Sequence, residues 1–154
     1  MSISVEIREQ SPLRLLVKAA TCSHAEIGRA FGNALSQVRS CLSKSLAKVK
    51  SAPMAVYLNW RESDCDMAVG CEVDGHVELT EGCEWLDVPG GLHACATHLG
   101  PYETLRETHS AIRAWCTAEK MKLSGPCWES YPISPESEPD SSKWRTEVCY
   151  PVET

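Results

Sequence analysis

No apolar run in the chain approaches the roughly 18 residues that a membrane-crossing helix needs. The opening MSISVEIREQ lacks a basic segment followed by an apolar one, so no secretory leader is expected and the expected address is the cytoplasm. No C-x-x-C occurs among the nine cysteines, which are scattered and odd in number. Neither a zinc site nor a disulfide framework is indicated, and in a reducing compartment most of the thiols are expected to be small buried hydrophobes. No G-x-S-x-G elbow is present, which removes the usual signature of a serine hydrolase. Positive charge is in short supply: 15 Lys and Arg against 21 Asp and Glu leave a net charge of −6. That balance weighs against broad nucleic-acid binding, which rests on neutralised phosphates.

What is present suits an ordinary soluble protein, with 43% apolar and 23% charged residues in 154. This length makes one domain, or two small halves sharing a core. The charge is uneven. Residues 1–50 hold eight Lys and Arg against three acids, whereas residues 59–87 hold nine acids against one Arg. Arg29, Arg39, Lys44 and Lys48 lie in a helical stretch, where a solvated helix face explains them better than a nucleic-acid patch. The acidic middle biases the protein weakly toward cationic partners.

The hydrophobic period says the same thing twice. LRLLVKA (13–19) reads as a strand, and Ser23 and Glu26 have capping-box spacing. Ile27, Phe31, Ala34, Leu35, Val38, Leu42 and Val49 then recur at helical intervals, predicting six or seven turns up to Pro53. MAVYLNW (54–60) and MAVGCEV (67–73) follow as strands around a polar turn. From Leu92 the order repeats: strand LHACATH (92–98), a helix starting near Pro101 and stopping at Pro126, strand CWESY, the polar loop PISPESEPDSSK, and strand WRTEVCYPV (144–152). The expected fold is α+β: tandem β-α-β-β units, with repeat one at about 5–75, a connector at 76–91 containing one strand, and repeat two at 92–154. A pseudo-twofold pairing would put both helices on one side and leave a ligand groove between the halves.

GPCWESYP (125–132) raises a chemical question, because strands disfavour Glu. On a strand, Glu129 shares a face with Cys127 and Tyr131, while Trp128 and Ser130 point the other way. Trp128 is expected to face the helices. Glu129 is either a wet-face residue or a withdrawn carboxylate between tyrosines, suited to an aromatic cation. Tyr57 falls near the counterpart of Tyr131, and Ala55 stands where a second carboxylate would be. Tyr102, Trp60 and Trp85 are candidate lining residues, each with a packing role as the alternative; Trp144 fits core or site equally. His93, His98 and His109 raise a metal site or a general base, but His93 and His98 are five apart on a strand and point to opposite faces, so no metal site and no cofactor is expected.

GGLHACATHLGPYETL (90–105), GPCWESYP (125–132) and WRTEVCYPV (144–152), in this order and spacing, resemble the GyrI-like, or bacterial transcription-activator effector-binding, domain with its SHS2-like repeats. The resemblance implies a cleft for flat, often cationic organic molecules, with its key strand Glu falling on Glu129. Two functions follow. One is a stand-alone binder of amphipathic, aromatic or cationic compounds through Glu129, Tyr131, Tyr57, Tyr102, Trp60 and Trp85. The other is a hydrolase that adds water to strained, cyclopropane-bearing toxic compounds, with Glu129 and Tyr131 as catalytic groups. One domain uses the whole length, so direct DNA binding is not expected; a protein partner such as gyrase is implied only by the family name.

Overall fold

The computed structural model describes residues 3–80 and 82–153. The strands and helices run in the order β1 (Glu6–Gln10), β2 (Leu13–Ser23), α1 (Ile27–Ser43), β3 (Lys48–Val49), β4 (Met54–Trp60), β5 (Asp64–Asp74), β6 (Glu84–Val88), β7 (Gly91–Leu99), α2 (Leu105–Ala118), β8 (Lys122–Leu123), β9 (Trp128–Ile133) and β10 (Arg145–Glu153). The protein is α+β, built from two compact units: a first unit, Pro12–Pro89, and a second, the N-terminal stretch up to Ser11 with the chain from Gly90 on.

Each unit repeats one topology. In the first, β2 pairs with β5 and β5 with β4; in the second, β7 pairs with β10 and β10 with β9, all antiparallel. Each central strand also takes a two-residue strand, β3 on β5 and β8 on β10. The outer flank is filled by β6 on β2 and by β1 on β7. Register extends the match to single residues: Ala55 opposes Val69 as Glu129 opposes Val148, and Leu16 opposes Cys71 as Ala94 opposes Tyr150. A β-bulge follows the tyrosine in both copies, with Leu58 extra in β4, and Tyr131 and Pro132 together opposite Thr146. Pro132 suits a bulge, having no N–H to give to a ladder. The strand β1 was not distinguished in the sequence; it pairs with β7 of the second unit.

Both helices are shorter than their apolar period predicts, and Ser23 makes no side-chain cap. A 3-10 turn precedes each helix instead, at His24–Glu26 and Tyr102–Thr104. α1 stops at Ser43 rather than running to Pro53. There Ser43 and Ser45 give their hydroxyls to the carbonyls of Ser40 and Leu42, so local bonds compete with the helix, and Val49 is released into β3. α2 stops at Ala118, well before Pro126, because Lys120 turns left-handed (φ 58°). Met121 N–H then reaches the Cys116 carbonyl at 2.9 Å and Lys120 N–H the Thr117 carbonyl at 3.2 Å, which is the Schellman arrangement.

α1 buries Ala34, Leu35, Val38 and Cys41, the last two in a core with Leu16, Cys71 and Val77. α2 buries Thr108, Ile112 and Cys116, the last two against Ala94, Ala96, Val148, Tyr150 and Val152. Fully burying a side chain such as Ile112 or Val148 contributes about 1.5–3 kcal/mol. Strand alternation then fixes the rest: Val148 opposes Glu129, so Glu129 lies on the α2 face, and Trp128, opposite Cys149, lies on the other. Trp128 is buried, yet it does not face the helix as expected; its ring meets His93 edge-on at 5.9 Å. The small Ala94 and Ala96 are what allow α2 to approach the opposite face.

Candidate functional site

The second unit gathers titratable groups around Glu129, which is 3% exposed. Tyr131, two residues along β9, donates its hydroxyl to Oε1 at 2.5 Å. His109, reaching down from α2, places Nε2 2.6 Å from Oε2. Its Nδ1 lies 2.6 Å from the Tyr150 hydroxyl, which also accepts a 3.0 Å bond from Arg113 Nη1, one turn along α2. A carboxylate only accepts, so His109 Nε2 donates to it. With a neutral ring, Nδ1 accepts from Tyr150, whose oxygen accepts from Arg113. One assignment thus runs from guanidinium through phenol and imidazole to carboxylate with every step satisfied.

The surroundings respond to that carboxylate. Burial, then the charge of Glu129, pushes the Cys127 thiol up to about 12. Burial first, then Glu129 and Glu136, raises the Tyr102 phenol. Tyr150 is also raised, by burial first and with Arg113 opposing. Aromatic rings continue outward: Tyr102 meets Tyr131 edge-on at 5.8 Å, and Trp144 lies 5.1 Å from Tyr102 with its indole N–H on the Glu138 carbonyl. Of the residues named from the sequence, Glu129, Tyr131 and Tyr102 therefore come together, and Trp144 joins them.

The remaining three candidates sit in the first unit. Tyr57 contacts Trp60 edge-on at 5.6 Å, and His24 stacks on Trp60 at 4.1 Å. Trp60 is 60% exposed. Trp85 lies on β6, with β5 and β2 between it and the Trp60 strand, and carries the Arg14 guanidinium at 4.6 Å over its ring. Two strands therefore separate these tryptophans. Beside Trp60, Arg61 grips Asp66 through both terminal nitrogens at 2.9 Å. A pocket of about 70 Å³ in this unit, lined among others by Leu35, Leu42, Pro53 and Cys71, is a separate feature.

Tyr150 was not singled out in the sequence, and His109, weighed there as a metal ligand or general base, was not placed in the site. Both carried a signal: His109 falls in the Leu105–Ile112–Cys116 stripe, and Tyr150 alternates with Val148 and Val152. His98, in contrast, pins the start of α2 through Thr108, Thr104 and the Pro101 carbonyl. No cluster of three or more metal-ligating side chains occurs among the described residues. No helix among them is long and apolar enough to cross a membrane.

The GyrI-like small molecule binding domain matches residues 3–153. The chain belongs to this family. Solved structures with the same fold include EcmrR in complex with DNA (17% identity, TM-score 0.87), where 99% of this chain covers 58% of that one. A hydrolase from Listeria innocua matches at 12% identity and TM-score 0.71, over 97% of this chain and 92% of its own. SAV2435 bound to tetraphenylphosphonium matches at 12% and 0.69, over 99% and 94%. No curated protein matches the chain. At these identities the likeness carries the fold, and the Glu129 cluster stands on its own geometry.

Comparing the two copies of the GyrI-like repeat isolates what is special about that cluster. By register and helix position, Glu129, His109 and Tyr150 correspond to Ala55, Phe31 and Cys71. One copy of the fold therefore forms without any of these polar groups.

Proposed function

We propose that the chain captures amphipathic compounds, aromatic or cationic, at Glu129. The observation that carries this reading is the asymmetry between the repeats: a buried carboxylate with its imidazole and phenol partners occupies positions that the other repeat fills with Ala55, Phe31 and Cys71. Buried polar clusters are costly, so one that the fold does not require points to use. Tyr131, Tyr102 and Trp144 supply ring faces and edges for an aromatic guest, and Glu129 supplies charge. SAV2435, a structural neighbour, binds tetraphenylphosphonium, an aromatic cation, which supports the same class here. Tyr57, Trp60 and Trp85 remain proposed contacts, with His24 added to the Trp60 platform.

The test is a fluorescence titration of the protein with tetraphenylphosphonium and planar cationic dyes, comparing wild type with Glu129→Gln. Saturable quenching that weakens in the variant is the expected result. Equal binding by both proteins, or none by either, would refute the reading.

The His109–Glu129 bond supports a second reading, hydrolysis of strained, cyclopropane-bearing compounds. A carboxylate joined to an imidazole can take a proton from water while Tyr131 bonds the developing charge. A structural neighbour is a hydrolase, which fits this class without deciding it. Turnover separates the two readings: a binder saturates at one equivalent, whereas an enzyme consumes many and loses that turnover in His109→Gln.

A further inference from the structure

The face of the second unit opposite α2 holds two thiols in direct apposition. Cys95 on β7 and Cys149 on β10 are cross-strand partners in register, and their sulfurs lie within hydrogen-bond distance, 2.8 Å apart. Both are fully buried. From β1, at one end of the strand order, Gln10 directs its amide at both sulfurs, 3.8 and 3.7 Å away. Arg8, two residues earlier on the same face of β1, bonds Glu147, the neighbour of Cys149 on that face. The other repeat has Val17 and Gly70 at the corresponding positions, so the fold does not call for sulfur there.

We propose that Cys95 and Cys149 form a redox-active dithiol that closes to an intrachain disulfide on exposure to hydrogen peroxide. Cys95 is the nucleophile. Its pKa is lowered first by the hydrogen bond it shares with Cys149, against the opposing effect of burial, with help from Gln10 and Arg8. Cys149 is correspondingly raised and keeps the proton. Attack by Cys95 on one peroxide oxygen breaks the O–O bond, leaves a sulfenic acid and releases the other oxygen as water. Cys149 then attacks the Cys95 sulfur, the S–O bond breaks, and the second oxygen leaves as water carrying the Cys149 proton. Two thiols lose two electrons and two protons, and one peroxide becomes two waters. Residues paired directly across antiparallel strands have Cα separations within the range that a disulfide spans.

A second pair gives an internal comparison. Cys22 and Cys65 are also in register across β2 and β5, where burial pushes the Cys65 thiol up to about 11, so Cys65 is the poorer nucleophile of that kind.

The test treats the full chain with hydrogen peroxide without denaturant, followed by thiol titration and non-reducing peptide mapping. All nine cysteines are free in the structure, so the titration is expected to fall by two, from nine to seven. The new link joins Cys95 to Cys149 and is reversed by dithiothreitol. In Cys149→Ser a sulfenic acid at Cys95 is trapped by dimedone, and Gln10→Ala slows closure. The proposal is overturned if Cys22–Cys65 closes first, or if oxidation spreads over all nine thiols at a rate that rises with urea, the mark of reaction through global unfolding. The wild-type map decides the matter even where a variant folds poorly.

Discussion

His109 on α2 and Glu129 on β9 are joined by a 2.6 Å hydrogen bond in the second unit, and their counterparts in the first are Phe31 and Ala55. Each polar partner depends on the other. His109→Phe leaves Glu129 Oε2 without that donor, and Glu129→Ala leaves Nε2 without its acceptor. Each single change should cost about 1–3 kcal/mol, because a buried polar group loses its partner. The double variant, which copies the first unit, should cost less than the sum of the two, with a coupling of about 0.5–3 kcal/mol. Urea denaturation of the four proteins measures the cycle. Strict additivity would show that the two side chains do not act as a unit.

Cys127 reports on the same carboxylate. With its thiol pushed up to about 12, it should alkylate far more slowly than an ordinary exposed cysteine at pH 8, where only about one part in ten thousand is thiolate. Glu129→Gln removes the second-largest cause of that shift and should speed alkylation, while burial continues to protect the thiol. Iodoacetamide labelling with peptide-level quantification gives the rate. An unchanged rate would mean that Glu129 exerts no field at Cys127.

Strand positions were legible because alternation leaves a period of two in the sequence, and Glu129, Cys127 and Tyr131 do share a face. Which face α2 covers was not legible from β9 alone. Small residues on β7, Ala94 and Ala96, decide it, and they put Trp128 on the far side. Helix ends were hidden for local reasons: serine side chains end α1, and Lys120 takes the left-handed position where glycine would have given the stop away. EIREQ lacks a strand's apolar alternation, since β1 is a short flanking strand held through Glu6, Arg8 and Gln10. His109 and Tyr150 sat within apolar stripes, and only the fold brings them to Glu129.

Acid stability should depend on Asp66. Arg61, then Thr21 and Asn59, hold its carboxyl well below the usual range from 3.8. A group with a depressed folded-state pKa takes up protons in the unfolded chain first. Its stabilising effect is therefore present above about pH 3.8 and lost as pH falls toward the folded-state value. Asp66→Asn should lower stability near neutral pH slightly, the group being solvent-exposed, and flatten the decline below pH 3.8. Urea midpoints of both proteins across the acid range test this. Parallel curves would assign the acid limb to other carboxylates.

Two backbone sites should respond in opposite senses to small substitutions. Lys120 sits at φ 58° after α2, where a side chain is strained and the helix already ends in a Schellman arrangement. Lys120→Gly should relieve that strain and stabilise by up to about 1 kcal/mol, since the left-handed penalty of about 1–2 kcal/mol outweighs the extra entropy of glycine in the unfolded chain. Gly70, in the middle of β5, is the reverse case. A Cβ there would lie 1.7 Å from the Leu16 carbonyl oxygen and 2.9 Å from Val17 Cα, backbone atoms that cannot swing aside. Gly70→Ala must therefore separate β5 from β2, the strand that carries the buried Leu15, Leu16 and Val17, and should leave the first unit unfolded or severely destabilised. Circular dichroism melts of the two variants check both signs, and a Gly70→Ala protein melting like wild type would show that β2 and β5 are not in such close contact.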